Sequence, residues 1–185
     1  MVLRLVLAAL SLLLGFGLEV EDALAQVPDH WRGTEIRVGV LAHDVPHLWS
    51  GFSLENGVDI NAEVLFAYGL PFLGGSIRPA IGGSVNTVGD TSRAYVDARW
   101  QVDSPSGIFF GLGIGAAIHD GLLDPTRADR KALGSRVLFH IPIELGYRFD
   151  QHNSISVYFE HTSNGGLADY NEGLDAIGVR YGYRF

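Results

Sequence analysis

The stretch "RVLFHIPIELGYRF", Arg136 to Phe149, decides the fold. Val137, Phe139, Ile141, Ile143, Leu145, Tyr147 and Phe149 share one parity, while His140, Glu144 and Arg148 share the other. An apolar residue at every second position has the period of a β-strand, not of a helix. The run is long for a soluble strand. It suits one tilted across a bilayer, where about 9–11 residues span the hydrocarbon and the ends project.

The same alternation recurs along the chain. "EIRVGVLA" (Glu35 to Ala42) and "GVDINAEVLFAY" (Gly57 to Tyr68) carry it, and further strands are predicted at Ser76–Asn86, Arg93–Asp103, Gly107–His119, Asn153–Ser163 and Asp175–Phe185. That makes eight. Their polar faces collect Arg78, Asp97, Arg99, Glu144, Arg148, Glu160, Arg180 and Arg184, and their apolar faces run full length and end in aromatics. A soluble sandwich would turn its apolar faces inward and its charges out. Full-length apolar faces with aromatic ends instead fit the lipid-facing band and interfacial girdles of an outer-membrane barrel. Eight strands leave an interior just filled by side chains, so the charges would pair inside it.

Loop lengths point the same way. "GLPFLGG", "SPS" and "DQH" after the second, fourth and sixth strands are short, whereas "HDVPHLWSGFSLEN", "DGLLDPTRADRKALGS" and "NGGLADYNEGL" after the first, fifth and seventh are long. Short periplasmic turns and longer outer loops are the asymmetry of such barrels. The last strand, "IGVRYGYRF", ends on alternating aromatics and a terminal phenylalanine, which looks like the signal read by outer-membrane assembly machinery.

At 185 residues the chain has a one-domain length. It contains no cysteine, so neither disulfides nor thiolate metal sites are available, and its net charge of −8 argues against nucleic acid as a partner. Residues 1–25 read as a cleavable signal peptide: a positive start at Met1 to Arg4, an apolar run from Leu5 to Leu18, and "ALA" before Gln26. Residues 26–185 would then form the mature barrel. The expected fold is all-β, an eight-stranded antiparallel transmembrane barrel in the bacterial outer membrane.

Parity carries chemistry near the C-terminus. In the strand Asn153–Ser163, His161 and Ser163 continue the outward row of Ile155, Val157 and Phe159, and Asp175 opens the outward row of the last strand. These two strands are sequential antiparallel neighbours, so the three side chains meet at the outer end of the wall. Ionisable groups there are costly unless they lie at the interface or serve a purpose. Serine, histidine and a carboxylate are the parts of an acyl-transfer site: a nucleophile, a base and an acid that orients the imidazole. Asn164 could offer its amide to an oxyanion. Residues of these types before Gly165-Gly166 also suit a strand end and turn, and Asp169 and Glu172 are alternative carboxylates.

The stretch "HTSNGGLADYNEGLD", His161 to Asp175, resembles the signature of the lipid A 3-O-deacylase family. In that family His-x-Ser-Asn closes the penultimate strand and a carboxylate opens the last one. His161, Ser163, Asn164 and Asp175 occupy those positions, and Asn171 and Gly173 match the segment between. "GVLAHDV" (Gly39 to Val45) and "DINAEVLF" (Asp59 to Phe66) resemble the family's first two strands. The better-known members carry glutamate where this chain has Asp175. The resemblance implies hydrolysis of an ester-linked acyl chain of lipid A in lipopolysaccharide, most simply the chain at the 3-position. It implies Ser163 as nucleophile, His161 as base, Asp175 as orienting acid and Asn164 at the oxyanion, with no metal or organic cofactor.

Other residues are less telling. Arg127, Arg130 and Lys131 in a long outer loop are expected either to contact lipid A phosphates or to be solvated beside Asp124 and Asp129. His43, His47 and His119 read as solvated loop histidines, and His140 as a lumen histidine beside Glu144. The expected partners are lipopolysaccharide and outer-membrane lipid, and the sequence leaves a homodimer through the lipid-facing surface open. Two other functions fit the same fold: a non-catalytic structural or adhesion barrel, and a lipid A acyltransferase.

Overall fold

A computed structural model describes residues 33–185. The expected leader, residues 1–25, lies outside them. Nine strands follow in order: β1 (Glu35–Ala42), β2 (Val58–Leu65), β3 (Leu70–Phe72), β4 (Gly75–Asn86), β5 (Arg93–Asp103), β6 (Ile108–His119), β7 (Val137–Arg148), β8 (Asn153–Ser163) and β9 (Leu174–Arg184). Each wall pairs antiparallel with the next, and β1 pairs with both β2 and β9, so the sheet closes on itself. β2 and β3 both pair with β4, at successive levels, and together make one wall. The barrel therefore has eight walls, as the alternation predicts.

The predicted second strand is interrupted after Leu65, and β4 supplies the reason. Phe66 donates its N–H to the carbonyl of Pro79, but Pro79 has no N–H to return. The Phe66 carbonyl is taken instead by Arg78 Nε at 2.7 Å, and Arg78 also reaches the carbonyl of Leu65. A guanidinium thus replaces the missing ladder bond, and pairing resumes at Leu70 opposite Ile77.

Outside, the barrel presents an apolar belt that includes Val38, Val40, Ile60, Ile81, Val96, Ile114, Leu145, Val157 and Val179, all exposed. Inside, charge fills the lumen in two tiers. In the lower one, Glu144 accepts from Arg37, from Arg99 at 2.9 Å, from Arg180 at 3.0 Å and from Ser156 at 2.6 Å, and Arg180 also reaches Glu63 at 2.9 Å. In the upper one, Glu160 pairs with Arg93 and lies 2.9 Å from His140 Nε2, while His140 Nδ1 lies 2.9 Å from Asp97. His140 therefore pairs with Asp97 and Glu160 and not with its strand neighbour Glu144. Glu160 lies on the adjoining strand β8, opposite Pro142, and Asp97 lies on β5 at the level of Gly115, whose missing side chain lets it reach His140 over β6.

The outer loops are tied to one another. His43 is buried, not solvated: its Nδ1 lies 2.9 Å from Asp59 and its Nε2 3.0 Å from Glu55. Glu55 also accepts from Thr91, from Arg130 at 3.0 Å and from the Lys131 N–H. Lys131 is itself fully buried, with Nζ 2.9 Å from Asp44 and over the Phe52 ring. His119 is likewise buried, its Nε2 2.7 Å from the Ser135 carbonyl.

Two outcomes are expected. Glu144→Leu leaves three lumen guanidinium groups without their shared carboxylate and should cost about 3–5 kcal/mol of stability, read from the urea dependence of barrel unfolding. The second concerns pH. Burial opposes the charge of Glu55, but hydrogen bonds from His43, Thr91 and Arg130 outweigh it and hold its carboxyl well below the usual range. Burial likewise opposes the charge of His43, and its bonds to Asp59 and Glu55 outweigh it and raise its value. The Glu55 contribution is complete above the ordinary glutamate value and fades as pH falls through the lowered one. The His43 contribution is complete below the ordinary histidine value and fades as pH rises through the raised one. Proteolysis of the loop 43–57 should accordingly be slowest between about pH 4.3 and 6.5 and should accelerate on either side.

Candidate active site

The ladder between β8 and β9 brings the site together. His161 stands directly opposite Asp175, and Ser163 lies opposite Phe139 of β7. Directly paired residues of antiparallel strands project to the same face, about 4.5–5.5 Å apart at Cβ. A short acid can therefore span the gap: His161 Nδ1 lies 2.6 Å from Asp175 Oδ1. On the other side of the ring, Nε2 lies 3.0 Å from Ser163 Oγ. The three groups form one continuous relay on the outward face of the wall. The alternative carboxylates are engaged otherwise: Glu172 lines the neighbouring cavity but accepts the N–H of Ala132, and Asp169 is exposed in the last loop.

Outward parity does not leave the relay open to lipid. His161 is only 5% exposed and Asp175 is fully buried, because the first outer loop folds over them. The Trp49 indole stacks on the His161 ring with centroids 4.5 Å apart and planes 14° off parallel. Ser50 donates its N–H at 2.6 Å and its hydroxyl at 3.0 Å to Asp175 Oδ2. Neither residue was legible in the sequence: no period reaches a loop, and Ser50 lies far along the chain from its partner.

Beside the relay is a cavity of about 390 Å³, lined by Phe139, Ile141, Ser163, Gly165, Asn171 and Gly173 among others. Phe139 and Ile141 belong to the apolar belt of β7, so the cavity is continuous with the lipid-facing surface. Gly173 holds a left-handed backbone, φ 61°, and a Cβ there would stand 3.3 Å from His161 Cε1 and 3.4 Å from Ser50 Cβ. It lets the last loop pass close under the imidazole.

Asn164 is placed differently from the expected oxyanion donor. Its Nδ2 donates to the carbonyls of Leu133 and Tyr170, and its Oδ1 accepts from Gly166 and Leu167. The side chain is 2% exposed and pins two outer loops together. Arg127, Arg130 and Lys131 are not brought to the relay as a group. Lys131 is buried against Asp44, Arg130 is engaged by Glu55, and Arg127 is exposed and paired with Asp129 at 2.6 Å. Burial removes Lys131 from any surface contact with phosphate.

A family model described as lipid A 3-O-deacylase (PagL) matches residues 35–184. A lipid A deacylase PagL of Bordetella bronchiseptica is 34% identical over 77 residues, which cover 42% of this chain and 41% of that protein. The match thus spans less than half of the relative's length. Among solved structures, the outer membrane enzyme PagL superposes with a TM-score of 0.61 at 19% identity, covering 80% of this chain and 97% of that one. The N-terminal β-barrel domain of Pseudomonas aeruginosa OprF gives 0.57 at 11% identity, covering 83% and 98%. At these identities the two structures bear on the fold alone, that of an outer-membrane barrel. The family model runs from the first strand to the last, and the chain belongs to the lipid A 3-O-deacylase (PagL) family.

Proposed function

We propose that this protein hydrolyses an ester-linked acyl chain of lipid A in the outer leaflet, at the 3-position, with Ser163 as nucleophile. The observation that carries the reading is the relay Asp175–His161–Ser163, with contacts of 2.6 and 3.0 Å on the lipid-facing side of the wall. Family membership supports the substrate class.

Ser163 Oγ attacks the acyl carbonyl carbon as its proton passes to His161 Nε2. Asp175, bound to Nδ1, keeps the proton on that nitrogen in the resting state and so leaves Nε2 free to act as base. It also stabilises the imidazolium that forms. The tetrahedral intermediate collapses as His161 gives the proton to the departing sugar oxygen, which leaves as the hydroxyl. Water then attacks the acyl-serine by the same base, releasing a fatty acid and restoring Ser163. Because the Asn164 amide is held by two carbonyls and its backbone N–H by Asn171, the oxyanion role passes in this reading to other backbone N–H groups beside the nucleophile, with Gly165 at the cavity wall the candidate. Phe139 and Ile141 line the path of the acyl chain.

Mass spectrometry of lipid A from a host with and without the protein tests this. Loss of one acyl chain with release of free fatty acid is expected. Gain or exchange of a chain would indicate a transferase, and an unchanged spectrum a structural barrel. Ser163→Ala and His161→Ala should each lower the deacylation rate by about 10³-fold or more, with the barrel still folded. Asn164→Ala should act differently, lowering resistance of the outer loops to protease along with activity, since its amide bridges the carbonyls of Leu133 and Tyr170.

A further inference from the structure

The relay uses three side chains, and two more from the first outer loop bear directly on it. Ser50 places both of its donors on one oxygen of Asp175, Oδ2, which leaves Oδ1 for His161 Nδ1. Trp49 lies flat on the imidazole. The segment carrying them is anchored: the Val45 N–H donates to the Asp175 carbonyl at 3.0 Å, and a turn closes from the His47 N–H to the Gly51 carbonyl at 3.1 Å. Upstream, Asp44 accepts the N–H groups of Leu54 and Glu55 and pairs with the buried Lys131.

We propose that Ser50 and Trp49 are positioning residues of the hydrolytic site, Ser50 fixing the Asp175 carboxylate and Trp49 fixing and shielding the His161 ring. This rests on reading His161 and Asp175 as the base and its orienting acid. The physical case has two parts. The terminal torsion of an aspartate is broad, so a short acid does not by itself hold one oxygen toward its partner. Two donors on Oδ2, each strengthened by the carboxylate charge, remove that freedom. Meanwhile the electron-rich indole face favours a cation above it, and His161 becomes a cation when it takes the Ser163 proton. The same indole covers one face of the imidazole and leaves its Nε2 edge toward Ser163. The first outer loop is thus a part of the site and not a cover laid over it.

The test uses the full-length barrel, refolded in detergent, with lipopolysaccharide as substrate. Ser50→Ala should lower kcat about tenfold with KM little changed, and Ser50→Thr, which keeps the hydroxyl, should recover most of the loss. Trp49→Leu should lower kcat roughly fivefold, with Trp49→Phe intermediate. In an Asp175→Asn background, Ser50→Ala should add no further loss, because the group it positions is gone. A readout independent of turnover is the low-field proton resonance of the His161–Asp175 hydrogen bond, expected in the wild type and shifted or lost in Ser50→Ala and Trp49→Leu. Wild-type kcat in both variants, an effect confined to KM, or a resonance that is absent from the wild type or unmoved in the variants would overturn the proposal. A wild type without deacylase activity whose resonance still moves in both variants would instead remove the hydrolase reading and keep the positioning one.

Discussion

Hydrocarbon offers no hydrogen bonds, and this constraint shapes the whole molecule. Every backbone N–H and C=O within the bilayer has to find a partner in the chain itself, which a sheet achieves only by closing. Closure then dictates the rest. Alternate side chains face lipid and are apolar; the others face a lumen too narrow for bulk water. The polar rows meet there as paired charges, centred on Glu144 and Glu160. Even the exception obeys the rule: where Pro79 cannot supply a ladder bond, Arg78 does.

A closed sheet also fixes register, and register builds the relay. Sliding β8 by one residue against β9 would turn its apolar row into the lumen and carry His161 away from Asp175. The burial of the wall and the geometry of the relay thus rest on the same set of ladder bonds. The direct opposition of His161 and Asp175 explains how an acid as short as aspartate reaches the ring. The same acid also stands where Ser50 can hold its second oxygen.

The strands were legible because a period of two survives in every wall, and their bounds follow the alternation closely from β4 to β9. The same period puts His161, Ser163 and Asp175 in one row. What it does not reach are contacts set by closure or by loops. The break after Leu65 depends on a proline in the facing strand. The partners of His140 lie on other strands, Glu160 on β8 and Asp97 on β5 beyond Gly115. Lys131 has the composition of a solvated loop residue, yet it is buried because Asp44, from a distant loop, neutralises it. Asn164 matches the family pattern in identity, while its hydrogen bonds go to loop carbonyls. Trp49 and Ser50 lie in a loop without periodicity, so only the folded chain shows them against the relay.

The outer loops and the relay form one mechanical unit. Glu55 gathers residues from the first, second and third outer loops, Lys131 ties the third to the first, and the first carries Trp49 and Ser50 onto His161 and Asp175. The central claim is that Ser163 is the nucleophile this assembly activates. Treating the folded barrel with a serine-directed phosphonate ester and mapping the modified peptide tests it most directly. One adduct is expected, on Ser163, absent in His161→Ala and formed much more slowly in Asp175→Asn. Lipid A deacylation by a protein whose Ser163 resists the reagent, or labelling that survives His161→Ala, would contradict it.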